Sequence, residues 1–264
     1  MAIKTMDYFK ENGIDIALVV IETGVRTKYS RSEQQLSRAH REYGRIMGIR
    51  GKGLRGVYHS FWIGLWMRLP NTLQTRIRPL LKFIPFLNRL SLQKKAKELG
   101  IPTAIVKRHS SHETRFLLEK NDISYVLLTD SSWLIKEPLL SMEKTKIINA
   151  HCAKLPRHRS LDALPWSVVE NDKLGMTAHF VDDGIDTGPI LLFIEVKPQK
   201  GDNLITLRER IDNKKPEIFL KAIQELSNGI IYPIPQSKSE GVNHRPMTVE
   251  ELLKAEDVLQ CRFF

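Results

Sequence analysis

The sequence predicts an α/β protein built on a mostly parallel sheet with helices on both faces, and three observations predict it. From Lys94 to Val196, short apolar runs alternate with helix-length segments across loops of a few residues, the rhythm of right-handed crossover units. The run from Ile16 to Ile21 is apolar at consecutive positions, as in a strand covered on both faces. Finally, 264 residues at 42% hydrophobic and 27% charged are enough to close one large core.

Thr5 to Asn12 reads as a helix stopped by Gly13, and Ile14 to Ile21 reads as a strand whose end is marked by Glu22-Thr23-Gly24. Residues 26 to 56 are polar, basic and interrupted by Gly44, Gly48, Gly51, Gly53 and Gly56, the composition of an insertion or arm. Val57 to Leu69 is aromatic and apolar, and Pro70, Pro79 and Pro85 divide the next stretch into short helices. Lys94 to Leu99 is a helix end stopped by Gly100. Strands come next at Pro102 to Val106 and Ile123 to Leu128, with a helix at Ser111 to Glu119 between them. Pro138 to Met142 forms a helical turn before the strand Lys146 to Asn149. A helix at Leu164 to Glu170, strands at Gly175 to Val181 and Ile190 to Val196, and a helical stretch from Leu204 to Leu226 broken near Pro216 complete the regular part. A Pro- and Ser-bearing tail ends in a turn or helix at Thr248 to Leu253.

Charge narrows the function classes. The formal net charge is +11, yet 17 lysines and arginines against 2 acidic residues lie between Arg26 and Lys97 alone. The basicity therefore belongs to one segment, which disfavours nucleic acid and suits a cap on the sheet, an anionic membrane surface or a protein partner. The N-terminus carries neither an apolar h-region nor a small-residue cleavage site, and no apolar run is long enough to cross a bilayer. The 2 cysteines, Cys152 and Cys261, form no disulfide framework. A cytoplasmic protein, peripheral at a membrane if residues 26 to 92 dock there, is the expectation.

The candidate chemistry is concentrated in two places. Asn149-Ala150-His151 ends an apolar strand, and alternate residues share a face, so an amide and an imidazole stand together. The amide can donate to a developing oxyanion, and the imidazole can act as acid, base or second donor. Asp182, Asp183 and Asp186 crowd a Gly-flanked loop directly after another strand. One of these carboxylates facing His151 would raise its pKa and orient it. No metal is expected, because a hard cation needs more converging oxygens than this loop offers.

Taken together, Ile147-Ile148-Asn149-Ala150-His151, Leu155-Pro156-Arg157-His158-Arg159, Pro165-Trp166, Gly175-Met176-Thr177-Ala178-His179 and Asp183-Gly184-Ile185-Asp186-Thr187-Gly188-Pro189-Ile190-Leu191 resemble the formyltransferase family that uses 10-formyltetrahydrofolate. The similarity runs from about Ile123 to Leu226. It implies a Rossmann-like formyltransferase-type sheet: a catalytic domain over 1–226 with the basic-aromatic insertion at about 26–92, and a short extension over 227–264. It also implies roles. Asn149 and protonated His151 stabilise the oxyanion as an amine attacks the formyl carbon, and Asp186 orients His151 and assists proton transfer. The pteridine slot would lie between Asp130 to Lys136 and Val181 to Asp186. Trp133, Leu134 and Ile135 would wall it unless they pack in the core, and Val181, Asp182 and Asp183 would border it. His179 is expected to support the site from its strand.

The chain departs from the family pattern in three ways. Cys152-Ala153-Lys154 and Arg159-Ser160 replace the usual Pro-Ser and Arg-Gly, and Cys152 reads as a small buried thiol rather than a nucleophile. A helix precedes the first strand, which is followed by a single glycine before the basic segment. That segment stands where a short connection is usual. Among acceptors, the initiator methionyl-tRNA is disfavoured by the short stretch after Leu226, and glycinamide ribonucleotide by the unusual start. The primary amine of a nucleotide-linked amino sugar is left, its diphosphate suited to Arg or Lys. The competing class is a catalytically weakened member that binds a membrane or protein through 26–92. Homodimerisation stays open.

Overall fold

The computed structural model describes residues 1–22, 38–44, 46–47, 83–129, 134–160 and 162–264. Most of the basic-aromatic segment, and Trp133, lie outside the described residues. Helix α1 (Ala2–Glu11) buries Met6 and Phe9. Strand β1 (Val19–Glu22) pairs in parallel with β2 (Thr103–Val106), Val19 opposite Thr103 and Glu22 opposite Val106. The strand expected from Ile14 therefore starts later and includes Glu22. Its ladder can begin only where β2 offers a partner, and Ile14 and Ile16 instead pack into the core as extended chain.

Helix α2 (Phe83–Glu98) leads into β2, and helix α3 (His112–Lys120) follows it with Ser111 as N-cap, accepting from Thr114 N. The main sheet comprises β3 (Tyr125–Leu128), β4 (Lys146–His151), β6 (Gly175–Phe180) and β7 (Ile190–Glu195), in the order β3-β4-β6-β7. β3 and β4 are parallel, whereas β6 is antiparallel to both neighbours. Three of the four strands thus run one way and β6 alone is reversed. Alternating apolar and polar positions could not show that reversal, because β6 is covered on both faces.

Between β4 and β6 stand the three-residue β5 (His158–Ser160) and helix α4 (Ala163–Val169). Pro216 does divide the stretch after Leu204, giving α5 (Leu204–Asp212) and α6 (Lys215–Ser227), with the proline in the first turn of α6 where its missing N–H costs nothing. The C-terminal stretch forms the helix alternative expected at its end, longer than foreseen, and adds a strand. It contains β8 (Val242–His244), parallel to β5, and α7 (Val249–Phe263), opened by a Thr248–Glu251 capping box. Leu252, Ala255 and Leu259 recur at helical spacing and are buried in the main core with Phe219, Leu207 and Met176.

Helical residues 38–44 of the insertion dock on the core, with Ala39 and Tyr43 buried. Tyr43, from helical residues 38–44, is buried and donates to Glu256 Oε2 at 2.6 Å, an acceptor shared with Leu204 N. Among the described residues, no helix is long and apolar enough to cross a membrane.

The alternation along β4 sets the position of the functional groups. Ile148 and Ala150 face the large core under α5, α6 and α7, while Ile147 faces a second cluster of Leu118, Ile135, Leu139 and Met142. Asn149 and His151 share the side of Ile147.

Candidate active site

The β4–β6 register places His179 opposite Asn149 and Thr177 opposite His151. His179 Nδ1 lies 2.7 Å from the Phe180 carbonyl oxygen, which can only accept, so Nδ1 carries the proton. Nε2 faces the Asn149 amide nitrogen at 3.2 Å and Asp186 Oδ1 at 3.5 Å, accepting from the amide in the neutral ring and donating to the carboxylate when protonated. One N–H of Asn149 is thereby spent on fixing its orientation, and the other is the group that can meet an oxyanion. His179 is buried on its strand beside Asn149. Thr177 secures the turn after β4, donating to the Ala153 carbonyl at 2.6 Å and accepting from Leu155 N at 3.1 Å.

His151 is held between two acceptors. Its Nε2 is 2.8 Å from the His158 carbonyl oxygen on β5, and its Nδ1 is 3.3 Å from Asp186 Oδ2. Only the doubly protonated ring satisfies both. Burial, the larger influence, holds the imidazole pKa below its ordinary value, and the Asp186 charge opposes it. Asp186 feels the reciprocal balance: burial raises its carboxyl, but His151, His179 and the Ser160 N–H at 3.0 Å together hold it well below the usual carboxylate range. The structure therefore brings Asn149, His151 and Asp186 together at one strand end.

The acidic loop is built tightly around Asp186. Asp186 itself adopts φ +54°, a left-handed conformation that Asp tolerates better than most residues. Asp182 Oδ1 accepts from Gly184 N at 3.1 Å and from Thr187 Oγ1 at 2.6 Å, so this carboxylate stiffens the loop from within. Asp183 is exposed. Val181 N donates to the Ile147 carbonyl at 2.9 Å, continuing the β4–β6 ladder past Phe180. At Gly188 a Cβ would collide with the Phe180 carbonyl oxygen, a backbone atom that cannot swing aside. Gly188→Ala is accordingly expected to cost about 2 kcal/mol or more of stability, read as a lower midpoint in urea unfolding; an unchanged midpoint would contradict this account of the loop.

The residues expected along the pteridine slot separate. Leu134 is 53% exposed, while Ile135 is only 5% exposed and packs with Leu139 and Ile147, the core role left open for it. A cavity of about 680 Å³ lies between the β1 region and β3, lined by apolar groups such as Phe9, Ile16, Ile21 and Val126. Its lining includes Glu22 and His109 but not Asn149, His151 or Asp186, so it is distinct from that cluster. His109 Nδ1 sits 2.8 Å from Glu22 Oε2, a link between the ends of β1 and β2 that spacing could not reveal. Cys152 is buried and its thiol is pushed up by that burial, which suits packing and not nucleophilic attack.

His158, Glu170 and His244 bring potential ligand atoms within 4.8 Å of one another. The two rings, however, are inclined by only 18°, with centroids 5.1 Å and facing nitrogens 2.9 Å apart. Each nitrogen thus points straight at the other. That is the geometry of a shared proton, since lone pairs converging on a metal would meet at an angle. Sequence reasoning missed β5 and β8 as strands because His, Arg and Ser carry little strand signal.

Residues 90–223 match the family model described as formyl transferase. Among curated relatives, the chain is 27% identical over 147 residues to a methionyl-tRNA formyltransferase of Thermodesulfovibrio yellowstonii, covering 55% of this chain and 48% of that one. It is 32% identical over 138 residues to a methionyl-tRNA formyltransferase of Prochlorococcus marinus, covering 48% and 40%. The chain thus spans less than half the length of these relatives. Among solved structures, a phosphoribosylglycinamide formyltransferase of Bacillus halodurans aligns with a TM-score of 0.50 at 17% identity, over 85% of this chain and 89% of that one, a likeness of fold. With the family match extending over just more than half of its residues, the chain belongs to the formyltransferase family.

Proposed function

We propose that this chain transfers a formyl group from 10-formyltetrahydrofolate to the primary amine of a nucleotide-linked amino sugar. The observation that carries the chemistry is the Asn149–His151–Asp186 cluster: an amide and an imidazole on one strand face and a carboxylate 3.3 Å from the ring. The folate supplies an activated formyl group. Asn149 directs its free amide N–H to the formyl oxygen as that oxygen gains negative charge, and the positive charge of protonated His151 beside it stabilises the same oxygen through space. The His151–Asp186 pair holds the proton that must move between the incoming amine and the departing nitrogen. Segment 134–142 and Val181 lie on the same face of β4 as Asn149, which supports a pteridine slot there, with Leu134, Val181 and Asp183 along it and Ile135 and Asp182 stiffening its walls.

The acceptor assignment is supported by the way the C-terminal segment returns to the catalytic domain: β8 pairs with β5, whose backbone touches both His151 and Asp186. A site bordered so closely by the chain's own segment suits a small acceptor, and the basic stretch from Arg26 to Lys97 suits its diphosphate. The similarity to methionyl-tRNA formyltransferases favours a second reading, an aminoacyl-tRNA acceptor. A panel assay decides between them. Purified protein with 10-formyltetrahydrofolate is expected to add one formyl mass to a nucleotide-linked amino sugar, and not to methionyl-tRNA or glycinamide ribonucleotide. Formylation of the tRNA alone would replace the proposed acceptor, and formylation of nothing would remove the activity. In that last case, vesicle or protein binding through 26–92 would become the account.

A further inference from the structure

We infer that Gln236 is a positioning residue for the His151–Asp186 pair, clamping the acidic loop against strand β5 from outside the catalytic cluster. The inference rests on the catalytic reading of that pair. Gln236 lies in the chain between α6 and β8, and every polar atom of its amide is engaged. Nε2 donates to the Asp186 carbonyl at 3.0 Å and to the Gly188 carbonyl at 2.5 Å. Oε1 accepts from Arg159 Nε at 3.2 Å and Nη2 at 2.9 Å.

The two poles of the amide therefore hold two different structures. The donor side grips the backbone of the residue whose carboxylate faces His151. The acceptor side grips Arg159, the middle residue of β5, whose neighbours supply the His158 carbonyl to His151 and the Ser160 N–H to Asp186. Arg159 is 3% exposed and also donates to the Ser237 carbonyl at 3.1 Å. Its course past the C-terminal segment depends on Gly241, where a Cβ would collide with the guanidinium carbon. Asp186 sits in a left-handed backbone conformation that its surroundings must maintain. Gln236 meets that requirement by bonding the carbonyls of Asp186 and of the residue two positions on. A carboxylate could not make these bonds, because it has no N–H to donate, and a shorter amide could not span both sides.

The test reads the ring directly as well as the rate. Wild type, Gln236→Met, Gln236→Asn, Asp186→Asn and the Gln236→Met/Asp186→Asn double variant are prepared with ¹³C-labelled histidine, and the His151 signal is identified by its loss in His151→Gln. A slackened loop withdraws the Asp186 charge, so the His151 titration midpoint is expected to fall by about half a pH unit or more in Gln236→Met. Gln236→Asn should move the same way. In the Asp186→Asn background the Gln236 substitution should add nothing. Formyl transfer should lose about tenfold in kcat while KM for the folate stays within about twofold. A His151 midpoint unchanged in either folded Gln236 variant, or an equal further shift in the double variant, would overturn the inference. Absence of formyl transfer by wild type would remove the catalytic reading but leave the titration result standing on its own.

Discussion

His151→Ala should lower kcat for formyl transfer by about 10²- to 10³-fold, the range for losing one oxyanion donor or one acid–base group. The size of the loss reflects its position: the protonated ring places positive charge beside the Asn149 amide on one strand face, and it borders Asp186 at 3.3 Å. The substitution also strips the His158 carbonyl and Asp186 Oδ2 of a buried partner. A stability loss of about 1–3 kcal/mol is expected alongside the kinetic one. Single-turnover rates measured well below the melting temperature keep the two apart. His151→Gln, which can still donate to one of those oxygens, should recover stability and little of the rate. Near-wild-type turnover by either folded variant would sink the assigned role.

How much of this site is legible in the sequence depends on which residues carry a local signal. Asn149 and His151 are legible because period-two geometry puts them on one face whatever the tertiary structure. Asp186 stands out among three carboxylates only through the family motif. Asp182 sits in the same loop with the same composition, and only the hydrogen bonds to Gly184 and Thr187 show that it is spent internally. Pro216 announces its helix break, since proline acts locally. β5 and β8 do not announce themselves, as each is three residues long and exists because the other does. Gln236 is invisible for the same reason. Its four hydrogen bonds reach residues 48 to 77 positions away, and nothing in Pro-Ile-Pro-Gln encodes such partners. The reversal of β6 is hidden by burial on both faces, and the docking of Tyr43 on Glu256 by a separation of 213 residues. What the sequence conceals is the long-range half of the site, the part that positions groups instead of supplying them.

Asp186→Asn isolates the charge from the shape. Asparagine keeps the volume, tolerates the left-handed backbone, and can still accept from Ser160 N, so the fold should persist. What disappears is the counter-charge. Burial then acts on His151 without that opposing charge, its pKa falls further below its ordinary value, and the protonated ring becomes scarcer still at neutral pH. If the reaction draws on the protonated form, activity that declines as pH rises should begin that decline at lower pH in the variant, with kcat near neutrality down by about 10²-fold. Stability carries an independent signature. Because the folded pKa of Asp186 is held below its ordinary value of 3.8, the ionised carboxylate favours the folded state above that pH, and the contribution fades as pH falls toward the folded pKa. The stability gap between wild type and Asp186→Asn should therefore be widest near neutral pH and narrow in acid, measured by urea unfolding across pH. An unshifted rate profile together with a gap that does not change with pH would show that Asp186 exerts no charge on His151, and the proton-sharing pair would have to be abandoned.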